Sequence, residues 1–142
     1  MTKWQLDVTS TAGHSSLQCT PEYGACSVLS AARLLDGLTQ QVRHYPDITF
    51  NPGLMVAGTC LEHQPASARA MAYGKSNVIA AEATVEGDMR FAHPDQVAAL
   101  QHTFSQLTDA VHALAHATLQ FGEIDPAMPD APRPADPALA GQ

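Results

Sequence analysis

Between Asn77 and Phe91 the residue types alternate with a period of two. The odd positions are Ile79, Ala81, Ala83, Val85, Gly87, Met89 and Phe91, and the even ones from Glu82 are Glu82, Thr84, Glu86, Asp88 and Arg90. Successive side chains of a strand point to opposite faces, so this pattern gives one greasy face and one wet face. A helix would spread the same charges around its whole circumference. The segment is expected to be a long antiparallel strand, central in a sheet that is covered on one side only.

The rest of the chain falls into place around that strand. Trp4, Leu6 and Val8 alternate with Gln5, Asp7 and Thr9, which predicts a first strand over about 4–11. Thr20-Pro21 has the form of a helix start, a hydroxyl cap followed by proline in the first turn. Ala25, Val28, Leu29, Ala32, Leu35 and Leu38 then recur at three-and-four spacing, predicting a first helix over about 21–39. Gly24 falls inside that helix, where glycine is unfavourable, and so implies a close approach. Ile48 and Phe50 open a second strand over about 48–57, and Pro52 within it points to a sheet edge or a bulge. Residues 66–73, rich in alanine, fit either a short helix or a strand that pairs with its neighbour. His93-Pro94-Asp95 opens a second helix, on which Val97, Leu100, Phe104, Leu107, Val111 and Leu114 form one stripe. A short last strand is expected at about 117–122. From Asp125 the chain holds five of its ten prolines and no periodicity, so 125–142 reads as a tail or linker behind a domain at 1–124.

Composition narrows the function classes. The chain has 142 residues, enough for one domain with a real core. Its 14 acidic and 7 basic residues give a formal charge of −7, and the basic ones are scattered, so no stripe exists to follow phosphates and nucleic acid is not an expected partner. There is no apolar run long enough to cross a membrane and no leader pattern, and the compartment stays unknown. Cys19, Cys26 and Cys60 are an odd number without a Cys-x-x-Cys spacing and read as buried thiols.

The order is strand, helix, strand, strand, helix, strand. Two right-handed β-α-β halves joined by an antiparallel pair make an α+β, ferredoxin-like sandwich. Both helices cover one face of a four-stranded antiparallel sheet. The other face is left to water or to a partner.

Particular residues then become informative. Gly13-His14-Ser15-Ser16, followed by Thr20-Pro21-Glu22-Tyr23-Gly24 and an alanine-rich helix, resembles the dimerisation (lid) domain of metallopeptidase family 20. Gly74-Lys75-Ser76-Asn77-Val78-Ile79 and Gly87-Asp88-Met89-Arg90 resemble two further elements of that lid, its Asn-Val-Ile turn and its Asp-x-Arg strand end. The likeness extends over about 4–124. Two features depart from it: Ala80 stands where the family usually has proline, and the 59–73 loop is longer than in the simplest members.

The resemblance implies a fragment of a zinc-dependent carboxypeptidase or amidohydrolase, catalytically silent alone, with two zinc ions held by a separate catalytic domain. It implies a homodimer formed through the edge strand and the first helix, and a small peptide or N-acyl amino acid as substrate. It further implies that His14 reaches the partner's active site and donates a hydrogen bond to the developing oxyanion, a charge-stabilising role. Asn77 and Arg90 would bind the substrate carboxylate, the guanidinium gripping it through two parallel bonds. Each residue also has a plainer role: a loop histidine bonded to backbone, a turn asparagine, and a surface arginine paired with Glu86 or Asp88.

Within the chain itself, His112 and His116 sit four apart on the expected second helix, but no third metal ligand accompanies them. Two rivals share the fold. One is a stand-alone ferredoxin-like module that binds a small ligand or regulates a partner, and the other is a purely structural assembly domain.

Overall fold

Alternation decides the sheet. In a computed structural model, which describes residues 1–64, 69–110 and 115–123, the first strand β1 (Thr2–Thr9) buries Thr2, Trp4, Leu6 and Val8 on one face. The helix α1 spans Ser27–Val42 and the strand β2 spans Thr49–Gly58. A small hairpin follows, made of β3 (Cys60–Gln64) and β4 (Arg69–Tyr73). Then come β5 (Glu82–Arg90), the helix α2 (Asp95–Ala110) and β6 (His116–Phe121). The main sheet has the order β2-β5-β1-β6, and every pairing in it is antiparallel. This is the expected ferredoxin-like sandwich.

The core lies between one sheet face and the two helices. Trp4, Leu6, Val8, Ala83, Val85, Met89 and Leu119 from the strands meet Ala31, Leu34 and Leu38 of α1 and Leu100 and Phe104 of α2. Burial of such side chains is worth about 1.5–3 kcal/mol each and is the main force holding the layers together. At one end of the sheet Trp4 reaches from β1 over Gly87 on β5 and stacks on Phe50 of β2, with ring centroids 4.3 Å apart and an interplanar angle of 10°. Its Nε1–H donates to the Asp88 carbonyl at 2.9 Å. Gly87 is what makes this possible, because a Cβ there would come within 2.5 Å of the Trp4 ring and overlap the Asn51 carbonyl. Opposite Gly87 the register of β2 shifts between Pro52 and Leu54, so the edge strand carries both the proline and the bulge that its sequence implies.

Three expectations are corrected. The long strand does not extend back to Asn77, because residues 77–81 leave the ladder and bond elsewhere. The Ile79 N–H donates to the Gly13 carbonyl, and the Ala80 carbonyl accepts from the hydroxyls of Ser10 and Ser27. The first helix starts six residues later than expected, at Ser27, with Cys26 as its cap. The Thr20 hydroxyl bonds back to the Leu17 carbonyl instead of forward into a helix, and Gly24 takes a left-handed φ of 63°, which closes a turn and stops helix propagation. The helix face also rotates: Ser27, Ser30, Ala31, Leu34 and Leu38 point inward, while Leu29 and Ala32 are exposed.

The third correction concerns the sheet's polar face, which is not simply left to water. Residues 69–73 form a strand, and the hairpin leans over the polar face with Leu61, His63, Ala70 and Ala72 half-buried. Two β5 carboxylates tie it down. Glu82 Oε2 accepts the Leu61 N–H at 2.7 Å, and Glu86 Oε1 lies 2.7 Å from His63 Nε2. Replacing Glu82 with alanine should therefore cost about 1 kcal/mol by leaving that N–H without its acceptor. Amide exchange at Leu61 should accelerate with it; exchange unchanged from the parent would show that Glu82 does not hold the hairpin. The expected tail at 125–142, along with Val111, His112 and Leu114, lies outside the described residues.

Candidate functional site

The end of β1 runs into a loop that the sequence makes rigid. His14 caps a single 3-10 turn (Ser15–Leu17): its Nδ1 accepts the Ser16 N–H at 3.1 Å and lies 2.8 Å from the Ser16 hydroxyl. A nitrogen that accepts from a backbone N–H carries no proton in the neutral ring, so the proton sits on Nε2. The result is an exposed imidazole with its donor nitrogen fixed by the local backbone. Beneath it, the Tyr23 ring lies so close to Gly13 that a Cβ at residue 13 would come within 2.7 Å of the ring. Tyr23 is held by a turn in which the N–H groups of Tyr23 and Gly24 both donate to the Thr20 carbonyl.

The second component arrives from far along the chain. His14 and Val78 form an antiparallel bridge, flanked by two backbone bonds. The Ser15 N–H donates to the Asn77 carbonyl at 2.9 Å, and the Ile79 N–H to the Gly13 carbonyl at 2.8 Å. His14 and Asn77 are thereby brought onto adjoining, mutually bonded backbones, and both are exposed.

Arg90 is elsewhere. It ends β5, paired with Thr49, whereas the His14 loop follows the residue of β1 that pairs with Glu82 at the start of β5. Eight strand steps at about 3.3 Å separate the two ends by about 26 Å. A concavity of about 720 Å³ also lies towards the Arg90 end of the polar face, with Lys3, Gln5, Asn51, Glu86, Asp88 and Gln120 among its lining residues. A smaller one, about 410 Å³, lies beside the His14 bridge and is lined by Thr59, Cys60, Tyr73, Gly74, Lys75 and Val78. Sequence reading did not place Thr59, Cys60 and Tyr73 here, since the hairpin whose base they form carried no clear periodicity.

Among the described residues no group of three or more His, Cys, Asp or Glu could hold a metal ion. His116 opens β6 and does not lie on the second helix as expected. Cys19, Cys26 and Cys60 are free thiols, but only Cys26, at the start of α1, is buried as expected, while Cys19 in its turn and Cys60 on the outer face of the hairpin are exposed. No helix among the described residues is long and apolar enough to cross a membrane.

Comparison with known proteins gives the arrangement a context. No curated protein matches the sequence. Several crystal structures share the fold. A hydantoinase/carbamoylase-family amidase from Burkholderia phymatum superposes with a TM-score of 0.60 at 16% identity, covering 86% of this chain and 28% of that one. A tripeptidase from Staphylococcus aureus gives 0.53 at 16%, covering 84% and 29%. An aminobenzoyl-glutamate utilization protein from Klebsiella pneumoniae gives 0.55 at 20%, covering 89% and 30%. The chain thus spans less than a third of the length of these relatives. The family model described as the peptidase dimerisation domain matches residues 1–116, and the chain belongs to that M20 dimerisation-domain family.

Proposed function

We propose that this chain is the lid of an amide-cleaving hydrolase of the carboxypeptidase or amidohydrolase kind, and that it supplies contacts to the reacting group from outside the catalytic domain. The observation that carries this reading is the bridge between the His14 loop and the Asn77 turn. It bonds the backbone that carries an imidazole donor to the backbone that carries the Asn77 carboxamide. A donor fixed before substrate arrives is what stabilises a developing oxyanion without reorganisation. The solved relatives named as an amidase and a tripeptidase support the reaction class.

The two zinc ions of such an enzyme would be held by residues outside this chain, since no described cluster here fits them. The substrate would be a small peptide or N-acyl amino acid. Arg90, at the end of β5 about 26 Å from the Glu82 end that adjoins the His14 loop, would join the same substrate from a different protomer. Alanine at His14 in the whole enzyme tests the reading. Turnover should fall while bound metal stays constant, and unchanged turnover would overturn it.

Pairing of two chains follows from the same reading, through the open edge of β2 and the exposed side of α1. Pro52 and the bulge beside it spoil the first half of that edge for strand pairing, leaving Leu54–Gly58, where Met55 is 46% exposed. Sedimentation equilibrium should give twice the 15.0 kDa chain mass, and Met55→Lys should return a monomer. A parent that is monomeric across the range excludes this interface.

A further inference from the structure

Two donors converge on one nitrogen of the His14 ring, and only one of them is backbone. The Ser16 N–H reaches Nδ1 at 3.1 Å, while the Ser16 hydroxyl lies nearer, at 2.8 Å. A backbone N–H can only donate, so it marks Nδ1 as an acceptor. A serine hydroxyl turns to suit its partner, and against an accepting Nδ1 it must donate as well. The shorter contact to the ring is therefore made by a side chain to which the lid reading gives no part.

The loop holds Ser16 where this bond can form. Before it, the Ser15 N–H donates to the Asn77 carbonyl at 2.9 Å, and after it the Leu17 N–H donates to the His14 carbonyl at 2.9 Å. Gln18 ties down the far end: its N–H donates to the Ser15 carbonyl at 3.2 Å, and its Oε1 accepts the N–H of Cys26, the cap of α1, at 2.7 Å. A serine hydroxyl sits one bond beyond Cβ, so a fixed backbone leaves it only a few staggered positions. The ring of His14 is exposed, and these two bonds to Ser16 restrain it where packing does not.

Imidazole carries polarisation from one nitrogen to the other. Donation into Nδ1 draws electron density from the ring and makes Nε2–H a stronger donor, as in any chain of hydrogen bonds. We infer that Ser16 is a positioning residue for His14: its hydroxyl selects the tautomer with the proton on Nε2, holds the ring plane and strengthens the donor offered to a developing oxyanion. The catalytic part of this rests on the lid reading. Tautomer selection rests on the loop geometry alone.

Tautomer selection can be measured without catalysis, on the 142-residue chain itself. Of its seven histidines, His14 is the one whose ring signals vanish in His14→Ala. In mildly alkaline buffer, where a histidine ring is neutral, the nitrogen-15 shifts of the two ring nitrogens report which of them carries the proton. The parent should show a protonated Nε2 and an unprotonated Nδ1. Ser16→Ala keeps the backbone N–H and removes the hydroxyl, so the tautomer ratio should fall about threefold, what one exposed hydrogen bond contributes, and the two shifts should move towards each other. Ser16→Thr keeps a hydroxyl and should restore the parent shifts. Ring shifts in Ser16→Ala that match the parent overturn the inference.

In the complete enzyme, Ser16→Ala should lower kcat about threefold with KM unchanged, and Ser16→Thr should recover it. Ser16 is exposed, so these variants keep the fold. In a His14→Ala background the same Ser16→Ala change should do nothing, because the hydroxyl acts only through the ring. A loss that persists without His14 makes Ser16 merely structural and overturns its positioning role. Unchanged turnover in His14→Ala itself overturns the lid reading instead, and the ring shifts still decide whether Ser16 selects the tautomer.

Discussion

Gly87→Ala should cost about 3 kcal/mol of folding stability, at the upper end of what overpacking a well-filled core does. The added methyl has nowhere to go. It meets the backbone carbonyl of Asn51 on one side and the six-membered ring of Trp4 on the other. A flexible side-chain tip could move aside, but a carbonyl fixed in the β2–β5 ladder cannot. Relief must come from the Trp4 ring, and moving it breaks the stack on Phe50 and the indole bond to Asp88. The stack alone is worth about 0.5–1.5 kcal/mol beyond its buried area. In a domain of this size the loss corresponds to a fall of about 10 °C in Tm.

Gly53→Ala on the same edge is the control, because a Cβ there meets nothing closer than 3.6 Å. Urea unfolding of the two variants compares them directly. A Gly87→Ala midpoint matching that of Gly53→Ala would show that the aromatic staple does not need a bare backbone beneath it.

The second large effect is on chemistry. In the complete enzyme, His14→Ala should lower kcat by about 10² to 10³, the usual cost of removing one oxyanion donor. KM should change far less, because a donor in the proposed role acts on charge that appears only in the transition state. His14→Gln separates geometry from mere presence of a donor. A glutamine amide can donate, but it lacks the ring nitrogen that accepts the Ser16 N–H, so its donor is no longer fixed by the 3-10 turn. It should recover only part of the loss. The chain's own stability should move little in either variant, since the imidazole is exposed and its bonds are local. A large rise in KM with kcat intact would instead make His14 a ground-state binding residue.

Much of this molecule is legible in its residues, for identifiable reasons. The β5 pattern is readable because that strand buries Ala83, Val85 and Met89 on one face while Glu82, Glu86 and Asp88 stay on the other. Pro52 gave the edge position because a missing N–H cannot be hidden in a central strand.

The first helix misleads for an equally physical reason. Thr20-Pro21 satisfies a local cap pattern, yet Thr20 spends its hydroxyl on Leu17, and the contrary sign was Gly24, suited to a turn and not to a helix interior. The hairpin resisted reading because its inward residues include His63, which sits under the ribbon only because Glu86 lies beneath it. Alanines in β4 say little about strand or helix. The closeness of His14 and Asn77 rests on a bridge between residues far apart in the chain. No local spacing contains it.

The hairpin's closure has a consequence for how such proteins diversify. Its two strands leave and rejoin the sheet at adjoining points, sealed by the Thr59–Tyr73 backbone bond, so the excursion between them is topologically a side branch. Lengthening such a branch costs little chain entropy, about 0.6 kcal/mol for each doubling, and leaves every ladder of the main sheet untouched. Mutation can therefore rebuild one wall of the concavity beside His14, residue by residue or wholesale, while the scaffold that positions the imidazole stays constant. Within one lineage, sequence should drift faster at 60–64 and 69–73 than in the ladders of the main sheet.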